Sequence, residues 1–232
     1  MKSIYIYEHL GLGDQIACNG LVRTVAEDFD VTFVFAKPKN TNNVLRMFSD
    51  NPNIRVIPME ERDVRQFMQI APQNDYLIVG HEKLHEELIK DRQGKFDRVF
   101  YKMANVPFEN KWDKFYYKRN TETEHDVFYN KLNLTDESKF IFVHDDAERP
   151  MLHDKLSQGI KIVKPDRKDI SIFDFLYTIE KAKEVHCIDS SFFNLIDCIQ
   201  LKNDNLFFHK YVKIHLVGEG GTPTTKLNWT IL

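Results

Sequence analysis

At 232 residues, 42% of them hydrophobic and including 18 Phe, 9 Tyr and 2 Trp, the chain carries too many apolar rings for a disordered segment and enough core for one large domain or two small ones. A net charge of −3 argues against a dedicated nucleic-acid binder, and charges interrupt every apolar run well short of the ~20 residues that span a membrane. Cys18, Cys187 and Cys198 lack metal or redox spacing and read as reduced thiols. Glu8 stops the first apolar run too early for a secretion signal, so a cytoplasmic location is expected.

Strands and helices alternate from the start. Ile4–Tyr7 reads as a strand that ends in His9-Leu10-Gly11-Leu12-Gly13-Asp14, and Gln15–Glu27 reads as a helix. Val31–Phe35 is a second strand, Asn43–Phe48 a helix, and Ile54–Ile57 a strand stopped by Pro58. Glu61–Ile70 reads as a helix and Tyr76–Val79 as a fourth strand. Residues 94–137, with Gly94, Pro107 and the run Trp112-Asp113-Lys114-Phe115-Tyr116-Tyr117-Lys118-Arg119, lose the alternation. They read as partly helical surface and connector.

The alternation restarts with strand Phe140–Val143, which ends in His144-Asp145-Asp146, and strand Lys161–Val163, which ends in Lys164 and Pro165. Ser171 opens a helix with Asp174 three residues on, a capping-box-like start, and Ile172, Phe175, Ile179 and Ala182 share one face. Then come strand Val185–Ile188, turn Asp189-Ser190-Ser191, helix Ser191–Ile199, short strands Leu206–Phe208 and Ile214–Val217, and a glycine-containing loop Gly218–Thr225. Strands separated by helical segments predict βαβ units and mostly parallel sheets. The fold class expected is α/β, in two halves: residues 1–120 and residues 138–232.

Three turns carry chemistry-bearing residues. Gly11-Leu12-Gly13-Asp14 follows a strand and opens a helix, where glycines let a ligand approach the backbone and free N–H groups favour an anion. Ile16 stands where the dinucleotide fingerprint needs its third glycine, and no Gly-Lys-Ser/Thr follows, so neither nucleotide motif is complete. Asp14 reads either as a helix cap or as a catalytic carboxylate. Asp189-Ser190-Ser191-Phe192 lies between a buried strand and a helix; its hydroxyls and N–H groups suit a phosphate or diphosphate, and a plain helix cap is the alternative. His144-Asp145-Asp146-Ala147-Glu148-Arg149 offers carboxylates for a metal, an Arg fork for phosphate, or only a solvated loop, and Lys164 is a second basic candidate. The aromatic-basic stretch at 112–119 fits packing on a domain face better than stacking on a base or sugar.

Gly13-Asp14 on the first strand–helix turn, with the helix through Arg23, resembles the N-terminal motif of glycosyltransferase family 9, the heptosyltransferase group. Ile172–Ala182 and Val185–Phe192 resemble that family's donor-site helix, strand and turn. Two departures stand out: Asn19-Gly20 replaces a proline, and Phe192, Phe193 and Asn194 replace a small residue and a His.

The resemblance implies a GT-B-like fold of two small Rossmann-like domains facing a cleft, with an N-terminal acceptor domain and a C-terminal nucleotide-sugar domain. It implies a hexosyl- or heptosyltransferase-like enzyme of polysaccharide biosynthesis. A sugar would pass from a nucleotide-sugar co-substrate to a hydroxyl of a glycan or glycolipid, with no metal or other cofactor and with peripheral contact to a membrane surface. Asp14 is then the candidate base. Gly11, Gly13, His144, Arg149, Lys164, Asp189, Ser190, Ser191 and Phe192 are the candidate substrate and donor residues. The alternatives are a GT-B-shaped sugar-nucleotide epimerase or hydrolase, and a non-catalytic nucleotide-sugar or carbohydrate-binding module.

Overall fold

The computed structural model describes residues 1–70, 75–80, 96–146, 148–166, 169–213 and 224–232. The chain divides into a first unit, Met1–Lys118 together with Thr224, and a second that begins at Arg119 and ends with Thr225–Leu232. The strand expected at 214–217, most of the loop expected at 218–225, and Gly94 lie outside the described residues.

The first unit is built on four parallel strands, β1 (Ser3–Tyr7), β2 (Val31–Ala36), β3 (Ile54–Pro58) and β4 (Tyr76–Ile78), in the order β3-β2-β1-β4. Side chains of β1 alternate in direction, so Ile4 and Ile6 fill one face while Tyr5 and Tyr7 fill the other. Tyr5 stacks on Phe33 at 4.7 Å, and Tyr7 joins Leu10, Phe35, Val64 and Met68 in one buried cluster. Pro58 is accommodated because β3 is an outer strand, where a missing N–H costs no ladder bond. The chain adds β2 and β3 on one side of β1 and then places β4 on the other, so the strand order reverses between β1 and β4.

The helix expected from Gln15 to Glu27 is two helices, α1 (Leu12–Ala17) and α2 (Asn19–Ala26), separated by the buried Cys18. The closeness of α2 to a later segment explains the sequence here. A Cβ on Gly20 would stand 1.8 Å from the carbonyl oxygen of Asn110, so only glycine allows the contact. Buried Asn19 exchanges two hydrogen bonds with the Tyr116 backbone, 3.1 Å each. Asn19-Gly20 therefore does in this chain a packing job that no proline can do. Among the described residues the unit's other α-helices are α3 (Thr41–Phe48), α4 (Glu61–Ile70), α5 (Phe96–Met103) and α6 (Asn110–Asp113). The aromatic-basic stretch packs on this unit: Trp112 meets Phe108 edge-on and Arg23 lies over the Tyr116 ring.

Asp97 and Lys111 form a buried ion pair, 2.7 Å apart. Both also hold Thr224. Its N–H donates to the Asp97 carboxylate, and Lys111 Nζ donates to its carbonyl at 2.9 Å.

Among the described residues the second unit holds five parallel strands, β5 (Phe140–His144), β6 (Lys161–Val163), β7 (Glu184–Cys187), β8 (Leu206–Phe208) and β9 (Thr230–Ile231), in the order β6-β5-β7-β8-β9. Here the order reverses between β5 and β7. The unit opens with α7 (Thr121–His125) and a π-helical turn, Asp126–Lys131. The helix expected after Ser171 starts as a 3₁₀ turn, Ile172–Phe175, and continues as α8 (Leu176–Lys181). Ser171 caps it by accepting from Phe173 N–H at 3.3 Å, while Asp174 Oδ1 accepts from the Thr123 hydroxyl at 2.8 Å. Helix α9 (Ser191–Cys198) follows β7. Among the described residues no helix is long and apolar enough to cross a membrane.

Candidate functional site

In an open parallel sheet, ligands bind beyond the carboxyl ends of the strands, at the point where strand order reverses. Each unit has one such point, and the residues singled out above fall at both.

In the first unit the point lies beyond β1 and β4. Gly11 is the cap residue of α1, with φ −70° and ψ 137°, and Gly13 and Asp14 lie in the first helical turn. Asp14 is therefore not the cap residue. Its carboxylate folds back over Gly11, and a Cβ on Gly11 would stand 2.7 Å from Asp14 Oδ2. The turn after β4 closes on the same region. Gly80 has φ +85°, and a Cβ there would meet His9 Nε2 at 2.8 Å, so glycine is required on both counts.

Glu8 was not among the expected residues. Its strand alternation was readable, since Ile4, Ile6 and Glu8 lie two apart and share one face. Glu8 is 1% exposed, and among the described residues neither carboxyl oxygen has a nitrogen or oxygen donor. Burial pushes its pKa well above the usual carboxylate range. The neighbouring Cys18 thiol offsets this in part, and the Asp14 charge adds to it. The first unit thus holds one fully buried carboxyl with a raised pKa close to the half-buried Asp14 on α1.

In the second unit the reversal lies between β5 and β7, where His144 pairs in register with Cys187. Ser190 caps α9, accepting from Phe193 N–H at 3.4 Å, and its Oγ lies 2.9 Å from His144 Nδ1. Burial pushes the His144 pKa down to about 4, so the ring is neutral at pH 7. Phe192 is buried and packs under it, 4.6 Å between ring centroids, so Phe192 supports the His144 ring from the core side. Ser191 opens α9 and is half-buried, as is Asp189 in the turn before it.

The two cations are both engaged. Lys164 Nζ lies 2.6 Å from Asp145 Oδ1, whose other oxygen accepts from Met151 N–H at 3.0 Å. Arg149 grips Asp146 through Nε at 2.9 Å, through Nη2, and through its backbone N–H at 2.8 Å. Burial favours protonated Asp146, but the Arg149 bonds outweigh it and hold its pKa below the usual range. The carboxylates expected as metal candidates thus pair with the cations expected as phosphate contacts. Among the described residues no group of three or more His, Cys, Asp or Glu is arranged to hold a metal ion.

No family model and no curated protein sequence matches the chain. Several solved structures share its fold, two of them as follows. The E. coli ADP-heptose lipopolysaccharide heptosyltransferase II aligns with a TM-score of 0.55 at 11% identity, over 99% of this chain and 90% of its own. A glycosyl transferase family 9 structure from Veillonella parvula aligns with a TM-score of 0.52 at 11% identity, over 90% of this chain and 80% of its own. The fold is GT-B-like, with two Rossmann-like units built on wholly parallel sheets. At this identity the likeness concerns the fold.

Proposed function

We propose that the protein is a glycosyltransferase that moves a sugar from a nucleotide-sugar donor to a hydroxyl of a glycan or glycolipid, without a metal. The observation that carries this reading is the placement of Asp14 and of the His144–Ser190 pair at the strand-order reversals of two sheets in a GT-B-like fold. The first unit would receive the acceptor and the second the donor.

An acceptor hydroxyl is a weak acid and must lose its proton as it attacks the anomeric carbon. Asp14 on α1 would take that proton. The bond from the anomeric carbon to the diphosphate oxygen breaks, and negative charge grows on the leaving group. The Ser190 and Ser191 hydroxyls, the N–H groups of the first turn of α9, Lys164 and Arg149 would stabilise that charge. Arg149 and Lys164 would do so by exchanging Asp146 and Asp145 for phosphate oxygens.

The test is turnover of a panel of nucleotide sugars with and without candidate acceptors, in buffer with and without EDTA. Nucleotide release only in the presence of acceptor, unaffected by EDTA, supports the reading. Release without acceptor would identify a hydrolase, and tight binding without turnover a binding module.

A further inference from the structure

A second polar cluster lies in the same unit, apart from the His144–Ser190 pair. In the β5–β7 register Ile141 faces Glu184 and Val143 faces His186, so these four side chains share one face of the sheet. The segment 149–157 covers that face, burying Met151 and Leu156 against Ile141, Val143 and Ile188. Glu184, His186 and His209 sit at the edge of this apolar layer, the two imidazoles almost wholly out of solvent.

Their hydrogen bonds form a circuit that begins and ends on the covering segment. Leu152 N–H donates to the Tyr211 hydroxyl oxygen at 3.0 Å. Tyr211 Oη lies 2.8 Å from His209 Nδ1, His209 Nε2 lies 2.9 Å from His186 Nδ1, and His186 Nε2 lies 3.2 Å from Glu184 Oε2. Glu184 Oε1 accepts from the Ser157 hydroxyl at 2.7 Å.

With both rings neutral, one proton arrangement satisfies every contact. Glu184 only accepts, so His186 carries its proton on Nε2 and its Nδ1 is bare. His209 then donates from Nε2, and Tyr211 donates to the bare His209 Nδ1. Both rings are neutral, and the Tyr211 hydroxyl, which donates to His209 and accepts from Leu152 N–H, joins the two histidines to the covering segment. Burial lowers both imidazole pKa values, that of His209 to about 4 with help from His186. The other groups facing the circuit are Asp145, whose charge acts on His209, and Lys183, whose charge acts on Glu184.

We infer that Glu184, His186, His209 and Tyr211 are positioning residues that clamp segment 149–157 onto the sheet and keep Arg149 and the Asp145–Lys164 pair in place. The segment matters because Arg149 lies in it and Asp145 anchors it through Met151 N–H. Its functional meaning rests on the donor-site reading above.

The test is amide hydrogen exchange, expressed as protection factors, in the wild type and in Tyr211→Phe and His209→Gln. In Tyr211→Phe at pH 7, segment 149–157 should lose protection about fivefold, the scale of one neutral hydrogen bond, while β5 and β7 stay protected. In His209→Gln the segment should lose protection in the same way, again with the strands unchanged. Protection that ignores both substitutions, or that falls together with the strands, overturns the clamp. Binding of UDP, GDP and ADP to the same proteins tests the link to the donor: a loosened segment with unchanged diphosphate binding overturns that link. A wild type that binds none of these nucleotides fails the glycosyltransferase reading, while the exchange data still decide the clamp.

Discussion

Asp14 lies over Gly11 so closely that the glycine hydrogen is the largest group the carboxylate tolerates there, with 2.7 Å between Oδ2 and the place of a Cβ. The backbone of Gly11 is in a region open to any residue, so the need for glycine comes from the carboxylate and not from φ. Asp14→Asn keeps the shape and removes the base, and transfer should fall by ~10²–10⁴ with the fold intact. Gly11→Ala should push the carboxylate aside, lowering kcat with only a small change in Tm. Initial rates together with thermal melts check both. Near-wild-type rates in Asp14→Asn would leave Asp14 a helix-stabilising residue.

Glu8 should make the protein less stable as pH rises. Its folded pKa is raised, so the folded state keeps a proton that the unfolded chain releases above about pH 4.3. Stability is therefore lost from that point upward until the folded group itself ionises. Glu8→Gln carries no such proton, so the Tm difference between variant and wild type should grow in the variant's favour from pH 4 to pH 7. Melts over that range measure it, and a difference that does not change with pH would show that Glu8 is already ionised in the folded protein.

Arg149 and Asp146 should act in opposite directions on donor binding. Arg149→Ala should weaken nucleoside diphosphates more than nucleosides, by roughly tenfold or more if the lost contact is a charged hydrogen bond of about 1.5–3 kcal/mol. Asp146→Asn removes the carboxylate that now holds the guanidinium, and diphosphate binding should tighten. Calorimetric titration distinguishes these outcomes. Equal effects on nucleoside and diphosphate would remove Arg149 from the phosphate site.

Ser191→Glu places a carboxylate at the start of α9, where an anion is expected, and should abolish diphosphate binding in a folded protein. Replacing Ser190 and Ser191 together by Ala leaves the backbone donors and should only weaken it. Circular dichroism and binding measured on the same samples separate misfolding from repulsion. A folded Ser191→Glu protein that binds like the wild type would place the diphosphate elsewhere.

Most of the strands can be read from the chain because β-branched and aromatic runs end at polar turns, and Glu61–Ile70 can be read from its period. Strand β9 cannot: Thr230 and Ile231 are extended because β8 offers an open edge, which is a tertiary cause. The break at Cys18 is hidden for the same reason, since α1 and α2 are each good helical sequence. At the site, the turns at 11–14, 144–149 and 189–192 are visible as polar residues after apolar strands. The Arg149–Asp146 and Lys164–Asp145 pairs are not, because loop folding alone decides which neighbouring charge a cation meets. Glu8 could be found by counting by twos along β1, and it is concealed only by its charge, which ordinarily marks the end of a buried strand.

Thr224 ties the first unit to the order of synthesis. Asp97 and Lys111 are made early, yet the Thr224 backbone that bonds to both lies 113 residues after Lys111. A nascent chain leaving the ribosome therefore carries a first unit with an open polar socket until residue 224 has emerged. A fragment cut after residue 118 keeps that socket open permanently. Supplying a peptide that spans residue 224 in trans should close it, which makes this fragment a natural candidate for complementation rather than for expression alone.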